Sequence, residues 1–153
     1  RKQDTLHAVK KMRKDTLAVY KYPEGTLVDL NEADTTELKK IPGIGSGIAR
    51  MIVAYRNRLG GFYDTAQLKE VDYVNEDMLK WFKLENASIH RINANKAGLD
   101  KLRSHPYMNF YKAKVIMEYR RKKGKLKSLS QLSLYEEFTE KDLERLSYYL
   151  TFD

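Results

Sequence analysis

The residues best suited to chemistry in this 153-residue chain are Ile41-Pro42-Gly43-Ile44-Gly45-Ser46-Gly47. The segment reads as a tight hairpin between a helix ending near Leu38 and a second helix carrying Ile48 and Ile52. Gly43 and Gly45 are both expected to be free for positive φ. Ile44 then plugs between the helices, and the N–H groups on either side face outward. Outward N–H groups at a helix N-terminus suit a phosphate. Gly43, Ile44, Gly45, Ser46 and Gly47 are therefore candidate phosphate-binding positions, with Gly45 and Gly47 as amide donors and Ser46 adding a hydroxyl. Arg50 lies one helical turn on, where a cation reaches the same phosphate. Such a hairpin grips a nucleic-acid backbone without reading bases. The competing reading is a turn kept for helix packing alone.

The elements that position this hairpin recur along the chain. A shift of 64 residues aligns Asn31-Glu-Ala33 with Asn95-Lys-Ala97, Leu38 with Leu102 and Pro42 with Pro106. It also aligns Tyr55-Arg56 with Tyr119-Arg120, Gly60 with Gly124, and Gln67-Leu68 with Gln131-Leu132. A weaker shift of 30 places Leu68-Lys-Glu-Val71 on Leu38-Lys-Lys-Ile41. Repeats of this kind decide architecture. They predict an all-α fold of two tandem (helix-hairpin-helix)2 modules, each a small SAM-like helical bundle. Residues 27–87 form the first module and 88–153 the second, with 1–26 an N-terminal extension or linker. Asp34…Glu37, Asp64…Gln67 and Ser128…Gln131 have capping-box spacing. Asn75 and Thr139 suit caps of the closing helices, and Gly60 and Gly124 suit helix ends.

Charge supports an anionic partner. The chain carries a formal +8, concentrated in residues 1–22 at +5 and residues 112–127 at +7; basic patches of this kind attract nucleic acid. Lys112, Lys114, Arg120, Arg121, Lys122 and Lys123 form a secondary basic patch, read either as loose DNA attraction or as a solvated helix C-terminus. With no cysteine, disulfide scaffolds and thiolate metal sites are excluded. His7, His90 and His105 are isolated and no carboxylate pair suits two-metal hydrolysis. No enzyme activity, metal or cofactor is expected. No apolar run is long enough to span a bilayer, so this segment is expected not to insert into a membrane. The chain opens at Arg1 rather than Met, which reads as a processed or cloned segment. Tyr55, Tyr119, Trp81 and Phe82 read as core, whereas Tyr107, Phe110 and Tyr111 read as an exposed protein contact.

Leu30-Asn-Glu-Ala-Asp34, Ile41-Pro-Gly-Ile-Gly45, Ala49-Arg-Met-Ile-Val-Ala-Tyr-Arg56 and Gly60-Gly-Phe62…Gln67-Leu68 resemble the helix-hairpin-helix domain of ComEA-type competence proteins. The resemblance is strong over residues 27–83 and weaker over 92–150. It implies an all-helical module binding DNA through its hairpin, in a bacterial tandem-module protein of DNA uptake. It also implies an exported or tethered protein of the cell envelope, with a possible protein partner there. The copies depart from the pattern. Pro42-Gly-Ile-Gly45 becomes Pro106-Tyr-Met-Asn109, where Asn109 is expected to retain access to the left-handed region. Asp72-Tyr-Val-Asn75 and Glu136-Glu-Phe-Thr139 lack both glycines and carry carboxylates that repel phosphate.

The leading expectation is non-enzymatic, sequence-independent binding of DNA, double-stranded and held by its phosphates. The alternative is a protein-interaction or scaffolding module that has largely lost DNA contacts. A subunit of a nuclease or repair complex is a third.

Overall fold

The computed structural model describes residues 20–85 and 87–153; most of the expected 1–26 extension, and His7, lie outside them. The described residues form two compact units, 20–53 with 64–85, and 54–63 with 87–153. The sequence repeat assigns 54–63 to the first copy, whereas proximity groups them with the second.

The first unit begins at β1 (Val28–Asp29), passes through the short α1 (Thr35–Leu38), and holds the start of α2 (Ser46–Leu59). Two 3-10 segments, Thr65–Glu70 and Glu76–Trp81, lead to β2 (Phe82–Lys83). β2 pairs in parallel with β1, Val28 facing Phe82 and Asp29 facing Lys83. This clasp joins the beginning of the repeat to its end. Leu30, Leu38, Ile41, Ile44, Ile52 and Leu68 are essentially fully buried in the core. The caps start the elements where their spacing predicts. Asp34 accepts from the Glu37 N–H, Asp64 and Gln67 form a reciprocal capping box, and Asn75 accepts from the Met78 N–H. The segments Thr65–Glu70 and Glu76–Trp81 are 3-10 rather than α-helical.

The second unit repeats the plan. It runs from β3 (Ile92–Asn93) through α3 (Leu99–Arg103) and α4 (Phe110–Lys123) to a 3-10 segment at Leu129–Leu132. α5 (Glu140–Leu146) and β4 (Leu150–Thr151) close it, with Ile92 facing Leu150 in a second parallel clasp. The fold is thus all-helical apart from four two-residue strands among the described residues. Core positions recur at the 64-residue shift: Leu38 and Leu102, Ala49 and Ala113, Ile52 and Ile116, Leu68 and Leu132 are all buried. Tyr55 and Tyr119 are half-buried, and Trp81 and Phe82 are buried.

At one matched core position the chemistry changes. Ile41 has its counterpart in His105, which is 2% exposed. Its Nε2 donates to the Leu59 carbonyl at 2.8 Å and its Nδ1 accepts from the Tyr107 N–H at 3.0 Å. Those bonds fix one neutral tautomer. Tyr149, fully buried, packs on the ring at 4.6 Å between centroids and donates its hydroxyl to the Gly61 carbonyl. Burial, reinforced by Arg58 and Arg145 and opposed by the Leu59 carbonyl, lowers the His105 pKa to about 4. The folded value lies below the ordinary one. The resulting stability is therefore complete above pH 6.5 and lost as pH falls toward 4, amounting to about 2–3 kcal/mol. Urea unfolding at pH 7.5 and 4.5 should show that loss in the wild type. In His105→Gln the slope between the two pH values should flatten; an unchanged slope would refute the assignment.

Candidate nucleic-acid interface

The first hairpin is built from one turn and one helix end. The Ile44 N–H bonds the Ile41 carbonyl at 3.0 Å, closing a four-residue turn with Pro42 second and Gly43 third. Gly43 has φ of 89°, which fits the third position of a type II turn and disfavours any residue with a Cβ. A Cβ there would also approach Met78 Cε at 3.3 Å. Ile44 is 1% exposed and plugs between the helices as expected. Gly45 does not take positive φ, contrary to expectation; the turn needs only one left-handed residue.

The contrast among the glycines is informative. A Cβ on Gly45 or Gly47 would meet nothing within 4 Å. Gly47 lies in the first turn of α2, where alanine is the better helix former. Packing within the described chain offers no reason for either glycine. Among the described residues, no acceptor takes the N–H of Gly45, Ser46, Gly47 or Ile48. The residue before α2 is Gly45, which has no side chain to cap with, and the first turn holds no carboxylate. The positive end of a 14-residue helix is thus open to solvent. Gly43, Gly45, Ser46, Gly47 and Arg50 are all exposed, and Arg50 forms no ion pair among the described residues.

Behind this surface lies Lys21, which the sequence reading did not single out. The Lys21 ammonium donates to three hairpin carbonyls: Lys39 at 2.5 Å, Ile44 at 3.0 Å and Ile41 at 3.3 Å. Burial lowers its pKa from the ordinary value. One cation thereby gathers the carbonyl side of the hairpin and leaves the amide side facing out. Lys21 has no repeat partner and is 18 or more residues from its acceptors, so no local pattern marks it.

The other three hairpins keep the turn and change its chemistry. Val74 N–H bonds the Val71 carbonyl, Met108 N–H that of His105, and Phe138 N–H that of Tyr135. Tyr73 occupies the place of Gly43 and is itself left-handed, with φ of 69°. Tyr107 is not. A Pro-Tyr pair avoids the strained region, and the second module's first turn loses the type II geometry. Asn109, expected to reach the left-handed region, has φ of −152° and caps α4 instead, its side chain accepting from the Lys112 N–H at 2.8 Å. The Lys112 N–H, counterpart of the open Ile48 N–H, is therefore occupied.

A profile of the helix-hairpin-helix motif matches residues 24–83 and again 87–151. The chain belongs to this family. Among curated proteins it is similar to the zebrafish (Danio rerio) endonuclease/exonuclease/phosphatase family domain-containing protein 1, 28% identical over 143 residues. That match covers 79% of this chain and 26% of the relative. The mouse (Mus musculus) protein of the same name is 28% identical over 138 residues, covering 69% of this chain and 24% of its own length. The chain thus spans about a quarter of the curated relatives it matches. No solved structure matches.

The second helix-hairpin-helix module corrects several expectations. Lys112 pairs with Asp142 at 3.5 Å, both side chains 14% exposed, so its charge is used inside the fold. Burial opposes the charge of Asp142, but the Thr139 bonds and Lys112 outweigh it and hold its pKa low. Arg120 donates to the Ala97 carbonyl and to Met117 Sδ, which makes it structural. The exposed patch reduces to Lys114, Arg121, Lys122 and Lys123, extended by Lys125 and Lys127. Tyr107 is 4% exposed beneath the Arg145 guanidinium, 4.0 Å from its ring centre, and is not a surface contact; Phe110 and Tyr111 are exposed. Among the described residues no three metal-ligating side chains cluster, and no helix is long and apolar enough to cross a membrane.

The Lys21 bonds predict a local defect. Lys21→Met should destabilise the hairpin by about 1–2 kcal/mol, the scale of a charged hydrogen bond. In amide hydrogen exchange, Ile44 should lose protection while Ile116 keeps it. Equal protection of Ile44 in both proteins would exclude the role.

Proposed function

We propose that this chain binds DNA through its phosphates, without sequence preference and without catalysis. The observation that carries the reading is the pair Gly45 and Gly47, which border empty space beside four N–H groups lacking an acceptor. A phosphate oxygen supplies the missing acceptor, and only a surface without Cβ atoms lets it approach. Arg50 adds charge beside it, and Lys21 holds the hairpin from behind. Lys114, Arg121, Lys122 and Lys123 add general attraction. Double-stranded DNA is the substrate this reading favours, since a backbone cradle needs no access to bases.

Two settings have support. The resemblance of residues 27–83 to competence proteins supports DNA uptake at the cell envelope. The relatives, named for an endonuclease/exonuclease/phosphatase family domain, support a second setting in which the chain holds DNA for a neighbouring domain or partner. Both rest on the same hairpin.

The test separates fold from function at one residue. Gly47→Ala should raise stability by about 0.5–1 kcal/mol, because alanine is the better helix former. The same change should weaken binding of a random-sequence duplex about tenfold. For the wild type, affinity should fall steeply with salt, as about three to five neutralised phosphates require. A Gly47→Ala protein that is more stable and binds as tightly as wild type would contradict the phosphate cradle.

A further inference from the structure

The second module does not simply repeat the first with lower quality; its hairpin surface carries a different chemistry. At the 64-residue shift, Ser46 and Gly47 correspond to Phe110 and Tyr111. Both aromatic rings are exposed, Phe110 at 43% and Tyr111 at 68%. Their centroids lie 5.6 Å apart with the planes at 79°, so the edge of one ring meets the face of the other and their outer surfaces remain in solvent. They occupy the first turn of α4, where Asn109 already caps the backbone. The Lys112 N–H is thereby taken, and side chains stand at 109 and 111 where the first module has Gly45 and Gly47.

The same face of α4 carries cations. At 100° per residue, Phe110, Tyr111, Lys114, Glu118, Arg121 and Lys122 fall within one arc of about 120°, opposite the buried Ala113 and Ile116. All six are exposed. Glu118 is the single carboxylate among them, and Lys114, Arg121 and Lys122 form no ion pair among the described residues. From Phe110 to Arg121 the arc runs about 16 Å along the helix. Exposed rings beside a file of uncompensated cations match bases linked by phosphates: the rings offer faces for stacking and the cations follow the backbone. A duplex keeps its bases stacked on each other and cannot use the rings.

We propose that Phe110 and Tyr111 form a stacking platform for unpaired bases, with Lys114, Arg121 and Lys122 along the phosphates of the same single strand. The proposal rests on the reading that the chain binds nucleic acid, but not on the Gly43–Gly47 hairpin. The helix-hairpin-helix chain then has two unlike contacts, one for duplex backbone and one for single strand.

The test compares wild type with Phe110→Leu/Tyr111→Leu, which keeps apolar side chains and removes both ring faces. Three probes are used: a 15-nucleotide oligothymidine, the same length of abasic backbone, and a blunt random duplex. The double variant should bind oligothymidine about tenfold more weakly than wild type, with an unchanged salt slope because no charge is lost. The wild type should bind the abasic strand as weakly as the variant does, and duplex affinity should be equal for both proteins. Matching thermal melts establish that the variant is folded; if they differ, Tyr111→Leu alone, at the more exposed ring, replaces it in the same comparison. Oligothymidine affinity equal in wild type and variant overturns the platform, as does wild-type binding of the abasic strand at oligothymidine strength. The platform fails by this route even if Gly47→Ala still weakens duplex binding, so its failure is distinct from failure of the hairpin reading.

Discussion

Four backbone N–H groups at the start of α2 have no acceptor in the described chain, and the surrounding structure keeps them that way. A helix N-terminus is ordinarily closed by a side chain, as Asp34, Asn109 and Thr139 close others here. At α2 the capping position is a glycine. Gly43 turns the chain, Ile44 anchors the turn in the core, and Lys21 collects the carbonyls on the far side. Each contribution leaves the amides exposed. A fold that maximised its own stability would place Asn or Asp at residue 45 and Ala at residue 47.

The duplicated module shows what relief of that constraint looks like. Asn109 closes the helix, Tyr107 turns inward beneath Arg145, and His105 replaces Ile41 with two buried hydrogen bonds. Lys112, a cation in the sequence, is held by Asp142. Of the four amides that the first hairpin leaves open, the last has its counterpart in the Lys112 N–H, which the Asn109 side chain takes. What remains outside is aromatic and basic, not a backbone cradle.

Much of this was legible in the sequence. The 64-residue repeat, the caps at Asp34, Asp64, Asn75, Ser128 and Thr139, and the plug at Ile44 all depend on local spacing, which a sequence displays directly. The glycine pattern located the turn but not its division of labour. Gly43 serves backbone geometry, while a Cβ on Gly45 or Gly47 would meet only open space, and only three-dimensional neighbours separate the two. Lys21, the Lys112–Asp142 pair and the Arg120 bond to Ala97 join residues 18 to 30 apart through side chains. No periodicity encodes such pairings. His105 looked like an isolated polar residue because burial depends on the packing of Tyr149 and Leu59, which lie far from it in the chain.

The central claim is that open amides at residue 45 distinguish a binding hairpin from a structural one. The most direct measurement transplants the second module's cap: duplex affinity of Gly45→Asn, alongside its unfolding free energy. An Asn side chain at 45 should accept from the Ile48 N–H as Asn109 does from Lys112. The account predicts a protein as stable as wild type or more so, with duplex binding reduced at least tenfold. Unchanged duplex binding by a stable Gly45→Asn protein would contradict it.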